Sequence, residues 1–469
     1  MARAKGRGFG FWTLTFLVVA NMVGAGIFTT SGFTLVSLGN PWLVILAWLV
    51  AGAIALCGAF SYGLLVKQIP VSGGEYVFLS SSGFPFVGFV AGWVSLMAGF
   101  SGAIAYAALA LEEYLPGNPP HKLPAVIVVV LGALAHGGKR SVGALTQNIA
   151  VGLKLILLAV ILSYGIWSMG SLEWEGNNAT LNPAEGSMIL NFAQALVWIS
   201  LSYSGFNAAV YIVGESKSSH VVAKSIIAGT SIVILLYLML NVLFVVAPPK
   251  EIVLGQADVA ALAAGWIGGG RFESFVRFVI LLALLTSVLS MMMAGPRVYG
   301  KMAEDGLLPK IFVVQTSRVW PAVSLQMGFA LILICFGSLQ DLLGYLGLTL
   351  SLCATASVLC LFLGAHQGAV KGWKAVPPLL FILATLISAI LLMIRDPWQA
   401  LGALVTLLLG AVVFLFLTGS CLGNELLGGW HYGGPTRKSS PCIEILERIQ
   451  LQMSFRRKGR SDPVRVYGL

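Results

Sequence analysis

Long apolar stretches separated by short polar segments run through most of the chain. A helix that rises 1.5 Å per residue needs about 20 residues to cross about 30 Å of hydrocarbon, and most of the stretches are that long. The pattern predicts an all-α integral membrane protein with twelve transmembrane helices. The predicted spans are 11–33, 41–66, 84–114, 123–136, 143–168, 188–214, 224–247, 273–300, 321–337, 340–365, 375–394 and 397–421.

Composition supports a bilayer as the surrounding solvent. Hydrophobic residues make up 58% of the chain and charged residues 10%, which excludes an ordinary soluble surface. The lysines and arginines behind the net charge of +10 concentrate in alternate loops and in the tail 422–469, and cytoplasmic loops retain such residues. The charge therefore predicts a multi-pass protein of the plasma or inner membrane with both termini cytoplasmic. It gives no reason to invoke nucleic acid. The outer side keeps Lys122, Lys250, Arg271, Arg277 and Arg395.

Two predicted spans carry helix-breaking residues near their middles. Residues 20–28 read ANMVGAGIF, and Ser202 to Gly205 read SYSG. Glycine costs a helix about 1 kcal/mol relative to alanine, and a broken helix exposes backbone groups that lipid cannot satisfy. Paired breaks predict a transporter site, where a carboxylate binds half-helix N–H groups and an ammonium binds unwound carbonyls. The alternative is that the glycines only permit close helix packing.

Four motifs resemble those of the amino acid, polyamine and organocation permease family. They are VGAGIF from Val23, PVSGGEY from Pro70, YSGFNAAVYIVGESK from Tyr203 and AGPRVYGKMAEDGLLPKIF from Ala294. The resemblance covers roughly residues 10–420 and implies a five-plus-five inverted-repeat, leucine-transporter-type fold with helices 1 and 6 unwound at mid-membrane. It also implies secondary active amino acid transport by alternating access. The implied organisation is a cytoplasmic N-terminus 1–10, a first repeat 11–168, an inverted second repeat 188–365, helices 11 and 12 in 375–421, and a basic cytoplasmic tail.

The breaks and the family's pocket positions together give the candidate substrate-binding residues. The residues carried over from the family on spans three, six and eight are small or uncharged. In chain order the candidates are Val23, Gly24, Ala25, Gly26, Ile27, Ala98, Gly99, Ala103, Leu201, Ser202, Tyr203, Ser204, Gly205, Asn207 and Met291. For Leu201 and Met291, ordinary packing in an apolar span stays an equal interpretation.

Acidic residues define the expected substrate more sharply. The sequence places no Asp or Glu deep in a span: Glu112, Glu113 and Glu215 fall at span ends, and PVSGGEY is interpreted as a loop. An organic cation would therefore meet no buried counter-ion. We predict a neutral amino acid, small or aliphatic, and disfavour polyamines, arginine and lysine.

Lys154 lies well inside span five, too far from its end to reach water, and an intramembrane charge is expected to face the protein interior. Family members that work without sodium often carry a lysine here, where its amine resembles a replacement for a coupling cation. The expected neighbours are carbonyls of the first break and the hydroxyls of Thr286 or Ser287. Two roles stay open: a titrating group that couples transport to protons, or a permanently charged strut in an exchanger or uniporter.

Other classes of protein fit the sequence less well. The cysteines form no CxxC pair, and no metal-ligand cluster or cofactor motif is present. An enzyme would need a nucleophile, a metal cluster or paired acids within the spans. The sequence shows no such set there, so no enzymatic activity is predicted. The remaining alternatives are a polyamine or cationic amino acid exchanger, a channel, and a non-transporting accessory subunit. No obligatory protein partner is evident.

Overall fold

The computed structural model describes residues 8–117, 120–137, 144–169, 186–304, 307–313, 319–363 and 370–428. Within these ranges the secondary structure is helical, apart from an isolated bridge between Phe9 and Ser216. Among these residues, 8 helices are long and apolar enough to cross a membrane, and a bent pair of helices makes a ninth candidate. Shorter apolar helices occupy Leu123–His136, Gly152–Ser168 and Trp320–Phe336.

The helices of the first half begin and end at residues suited to those positions. Gly39 ends the second helix in the left-handed region (φ 66°), which glycine adopts without steric cost. Asn40 then caps the third helix by accepting a hydrogen bond from the Trp42 amide, with Pro41 at the first helical position. These helices are α1 (Phe11–Met22), α2 (Gly26–Leu38), α3 (Pro41–Gln68), α4 (Gly74–Ser81), α5 (Pro85–Val94), α6 (Ala103–Glu113), α7 (Leu123–Gly137) and α8 (Ala144–Met169).

The second half repeats the use of serine caps. Ser187, Ser218 and Ser338 each accept a hydrogen bond from a backbone amide in the first turn of the helix that follows. A 3₁₀ helix, Phe206–Glu215, lies between the first two helices of this half. The helices are α9 (Met188–Tyr203), α10 (Ser219–Asn241), α11 (Lys250–Val253), α12 (Val259–Glu304), α13 (Trp320–Phe336), α14 (Leu339–Leu359), α15 (Val376–Arg395) and α16 (Pro397–Gly428).

Most predicted spans match these helices to within a few residues, and the exceptions have local causes. α10 begins before the predicted residue 224 because Ser218 caps it. α12 begins well before residue 273 and bends at Gly269, whose φ is 72°. The sequence reasoning did not predict the short helix α4 or the π-helical turn Ser95–Gly102 between α5 and α6.

The two broken segments lie inside the helix bundle. α2 packs against α9, which also contacts α14 and α15. Both α1 and α3 pack against α10. Apolar side chains cover much of the outside, including Phe416, which is 72% exposed, and Leu404, which is 51% exposed. An apolar exterior of this extent is expected where lipid is the solvent, and it leaves the polar break residues for the interior.

Candidate functional site

The predicted breaks in the helices are present, and they touch each other. α1 and α2 are separated by Val23–Ala25 and bend by 45°. α9 ends at Tyr203, and Gly205 turns the chain with a φ of 101°. A Cβ atom on Gly205 would lie 3.0 Å from the Asn21 carbonyl oxygen, and one on Gly26 would lie 2.3 Å from the Ser202 hydroxyl. Glycine at these positions is what lets the two broken segments approach.

Two buried side chains bind the carbonyl groups left free where α1 ends. The Lys154 amine donates to the Val23 carbonyl at 2.6 Å and to the Ala20 carbonyl at 3.3 Å. The Tyr237 hydroxyl lies 2.6 Å from the Met22 carbonyl and 3.1 Å from the Ser202 carbonyl, so its single hydrogen is shared between the two broken segments. Helix ends need such donors when water is absent. Tyr237 carried no signal in the sequence, because tyrosine in an apolar helix is common.

A cavity of about 1530 Å³ adjoins both breaks. It extends from the breaks along α1 to the end of the bundle where α1 begins. There it is lined by Phe9, Glu215 and Arg297. The charged side chains in its lining are Glu75, Lys154, Glu215 and Arg297. A cavity of this size exceeds the volume of a free amino acid, so it forms an access path as well as a binding space.

The cavity divides the predicted binding residues into two groups. Gly24, Gly99, Ala103, Leu201, Tyr203, Ser204, Gly205, Asn207 and Met291 line it. The other predicted residues are buried between helices instead; for those at the first break and at the end of α9, the cause is the close packing of the start of α2 on α9. These residues, which do not line the cavity, are Val23, Ala25, Gly26, Ile27, Ala98 and Ser202.

The π-helical turn Ser95–Gly102 decides which residues of the third predicted span reach the cavity. Within it Gly99 lines the cavity whereas its neighbour Ala98 is fully buried. A π turn inserts an extra residue and so changes which side chain faces a given direction; such turns are frequent at functional sites. Family pocket positions that are assigned on a regular α-helix do not show which of these two residues faces the cavity.

The expected partners of Lys154 are corrected in part. Carbonyls of the first break accept its hydrogen bonds, but the hydroxyls of Thr286 and Ser287 do not. Both hydroxyls donate to the Ala283 carbonyl on their own helix, at 2.8 and 2.9 Å, which is a common arrangement for such side chains in helices. Ser287 lines the cavity with Lys154, and Thr286 does not.

Glu75 is a cavity residue that the sequence reasoning missed. It is 6% exposed, although its motif was interpreted as a loop. Its carboxylate accepts hydrogen bonds from Tyr62 (2.9 Å), Asn207 (2.5 Å) and Tyr211 (2.7 Å). Gly74, with φ 65°, packs so closely on the Tyr211 ring that a Cβ would lie 2.4 Å from it. An acid directly after a glycine pair was the available signal, since glycines allow a loop to enter a packed interior.

The opposite end of the bundle is closed around α2. The Tyr114 hydroxyl donates to the Phe28 carbonyl at 2.7 Å, and the Tyr106 hydroxyl meets Thr29 at 2.5 Å. The loop after α11 also binds α2, through a hydrogen bond of 3.0 Å from the Gly255 amide to the Gly32 carbonyl. The cavity is therefore open on the α1 side of the breaks and closed on the α2 side.

Across the described ranges, no cluster of three or more histidine, cysteine or acidic side chains is arranged to hold a metal ion. The described polar groups that line the cavity include backbone groups, hydroxyls, side-chain amides, the Lys154 amine, the Arg297 guanidinium and the carboxylates of Glu75 and Glu215. Such groups bind and orient a polar solute.

The apolar helices, the paired breaks and the cavity between them define the class, a multi-pass membrane transporter fold. Mhp1, a nucleobase-cation-symport-1 family transporter solved in a closed conformation with bromovinylhydantoin bound, has a TM-score of 0.54 to this chain. The match covers 88% of this chain and 94% of that chain at 15% sequence identity. At this identity the likeness concerns the fold alone.

The family model for "Amino acid permease" matches residues 9–423, and the chain belongs to that family. It is 25% identical to the serine/threonine exchanger SteT of Bacillus subtilis over 68% of this chain and 74% of that protein. It is also 25% identical to the b(0,+)-type amino acid transporter 1 of Mus musculus over 86% of this chain and 85% of that protein. The resemblance inferred from the motifs is confirmed: the protein is an amino acid permease and not an enzyme.

Proposed function

We propose that this permease is a secondary active transporter of neutral amino acids, small or aliphatic, that works by alternating access. The observation that carries the proposal is the cavity, which meets both helix breaks at a lining of small and uncharged residues. Gly24, Gly99, Ala103 and Gly205 contribute almost no side-chain volume there. The one acid near the second break, Glu75, already accepts three hydrogen bonds from neutral donors.

The hydrogen bonds at the breaks suggest how the amino acid binds. The carbonyls of Ala20, Met22 and Val23 already have donors in Lys154 and Tyr237, so at the first break we place the substrate at the backbone amide of Gly24, the break residue that lines the cavity just before α2. An N-terminal helix end favours an anion, which suits the substrate carboxylate. We place the substrate ammonium at the second break, beside the carbonyls of Tyr203 and Ser204, where the chain leaves α9.

Two coupling mechanisms are compatible with the position of Lys154. Its amine is buried and bonded to α1, so loss of a proton would weaken the hold on that helix and couple transport to protons. Retention of the proton would make it a fixed strut in an exchanger, as the name of the relative SteT suggests by analogy. Thr286 and Ser287 remain on the neighbouring helix as the predicted coupling residues, without a direct bond to the amine.

The proposed topology gives the number of spans, the repeats and the orientation of the chain in the membrane. We propose twelve spans, two inverted five-helix repeats in 11–168 and 188–365, two further helices in 375–421, and both termini cytoplasmic in a plasma or inner membrane. The breaks then lie at mid-membrane, and the open end of the cavity faces the cytoplasm. Of the predicted tail 422–469, residues 429–469 lie outside the described residues, and we propose that the tail is cytoplasmic. No obligatory protein partner is proposed.

One observation favours an alternative, a cationic amino acid or polyamine exchanger, because Glu75 is an acid in the cavity.

Uptake into proteoliposomes separates the candidate functions. The labelled substrates are neutral, cationic and acidic amino acids and putrescine. Each is measured with and without an inward proton gradient, and with and without internal unlabelled substrate. Saturable neutral uptake supports the proposal. Putrescine uptake above that of every neutral amino acid overturns it, and absence of all flux in folded protein favours an accessory subunit.

The cavity itself is tested by the reactivity of native cysteines. Cys353 lines the cavity, whereas Cys335 is exposed on another helix. In two variants that each retain one of these cysteines, we expect the transported amino acid to slow alkylation of Cys353 and to leave that of Cys335 unchanged. Equal rates for Cys353 with and without substrate would place the substrate elsewhere.

A further inference from the structure

Glu75 stands out because a carboxylate is buried beside the second break without a charged partner. The salt bridges formed by the described residues involve Glu112, Asp258 and Glu273, and none of them includes Glu75. Removing a carboxylate from water is costly unless hydrogen bonds replace the lost hydration. Here the replacement consists of neutral donors alone, two phenol hydroxyls and one amide.

The three donors divide unequally between the two carboxylate oxygens. Oε1 accepts from the Tyr62 hydroxyl and from the Asn207 side-chain amide, while Oε2 accepts from the Tyr211 hydroxyl. Tyr62 is fully buried and does not line the cavity, whereas Asn207 and Tyr211 do, and Asn207 is the nearer of the two to Gly205 in sequence. Asn207 follows Gly205 by two residues, so its amide is the donor that lies between Glu75 and the break.

We propose that Asn207 masks the Glu75 carboxylate from the substrate and thereby sets the charge that the site accepts. With the amide in place, Oε1 has both of its hydrogen bonds supplied by the protein and accepts no donor from the substrate. Without the amide, Oε1 loses its shorter hydrogen bond, and a carboxylate that already lines the cavity is left short of a donor. A substrate with an ammonium or guanidinium side chain then supplies the missing donor, with a charge-assisted bond that is stronger than the amide's. The inference rests on the proposed amino acid transport.

The test compares selectivity in proteoliposomes between wild type, Asn207→Ala, Glu75→Gln and the double variant. The measured quantity is lysine uptake divided by alanine uptake. Asn207→Ala should raise this ratio about tenfold, as expected for exchanging a neutral for a charged donor to a buried carboxylate. The double variant should return it to the wild-type value, since the carboxylate is gone. Asn21→Ala is the matched control, because Asn21 lines the same cavity but donates to the Leu17 carbonyl.

Two results overturn the inference: an unchanged ratio in folded Asn207→Ala, or a raised ratio that survives the addition of Glu75→Gln. If Asn207→Ala does not fold, Tyr211→Phe decides, because it removes the donor to Oε2 and should raise the ratio in the same direction by less; no rise in folded Tyr211→Phe is then the overturning result. Failure of the proposed function is distinct, since wild type then takes up no alanine. In that case the change in melting temperature with added lysine, in wild type and Asn207→Ala, still reports whether the carboxylate is unmasked.

Discussion

The two halves of the first predicted span have similar apolar sequences and opposite surroundings. In α2 every residue except Phe33 and Val36 is buried. In α1 only Leu14, Thr15, Val18, Val19 and Met22 are buried. Trp12 is 65% exposed and Phe16 is 54% exposed, and both line the cavity.

The bonds of the two halves differ in the same way. α2 is held along its length, by Tyr106 of α6, by Tyr114 directly after α6 and by the loop after α11. α1 packs on α10, but the hydrogen bonds that hold it lie at its ends, from Lys154 and Tyr237 where it stops and in the bridge from Phe9 to Ser216 where it starts. Segments with few buried contacts open at the lowest cost. We therefore expect α1 to be the half that moves during transport and α2 the half that stays.

The largest expected effect comes from Lys154→Gln, which removes the amine from the end of α1. The Ala20 and Val23 carbonyls lose their donor, and an unsatisfied buried group costs about 1 to 3 kcal/mol. Neutral amino acid uptake should fall at least about tenfold. Loss of proton-driven accumulation with exchange retained identifies a titrating lysine, and loss of both identifies a strut.

The control for that prediction is Lys224→Gln, on an exposed position of α10. It should transport at the wild-type rate. Wild-type uptake by Lys154→Gln would show that the amine does not hold α1 in a way that transport depends on, and would remove the main contrast between the two halves.

The next effect compares Gly24, which lies inside the first break, with Gly26, the first residue of α2. A Cβ on Gly26 would meet Ser202 at 2.3 Å and 2.9 Å, whereas a Cβ on Gly24 would have its nearest neighbour at 3.9 Å. Overpacking of this kind costs about 1 to 3 kcal/mol. Gly26→Ala should lower the melting temperature of the purified protein and reduce uptake, and Gly24→Ala should leave the melting temperature unchanged. Equal melting temperatures would contradict the tight packing of α2 on α9.

The smallest effect is expected from Tyr114→Phe, which removes one of the bonds that hold α2. The lost hydrogen bond to the Phe28 carbonyl is worth about 1 kcal/mol. The rate of neutral amino acid uptake should therefore change by about fivefold or less. Tyr164→Phe is the control, because Tyr164 is 37% exposed and contacts its neighbours through its ring. A larger loss in Tyr164→Phe than in Tyr114→Phe would mean that the contacts of α2 do not limit transport.

Much of the architecture could be predicted because it follows from local properties of the chain. Apolar length gave the positions of most helices, and glycine or serine placement gave both breaks. The burial of Lys154 against the first break also followed, since a lysine far from a span end has to find backbone oxygen inside the bundle. Each of these predictions depends on a residue and its near neighbours in sequence.

Other parts of the site depended on residues far apart in the chain. Glu75 enters the cavity because a glycine pair turns the start of α4 onto the 3₁₀ helix Phe206–Glu215, more than a hundred residues away in sequence. Tyr237 meets both breaks from α10. The π-helical turn Ser95–Gly102 selects Gly99 over Ala98, which no regular periodicity anticipates.

The sequence by itself determined the membrane class, the family, the two breaks and the amine that serves one of them. These are consequences of hydrophobic length, backbone propensity and the high cost of an unpaired charge in an apolar medium. Only the tertiary structure decided which break residues face the cavity, which end of it is open, and that an acid lies beside the second break. Those properties arise from the packing of distant segments, and the partners of a buried polar group are fixed only when those segments meet.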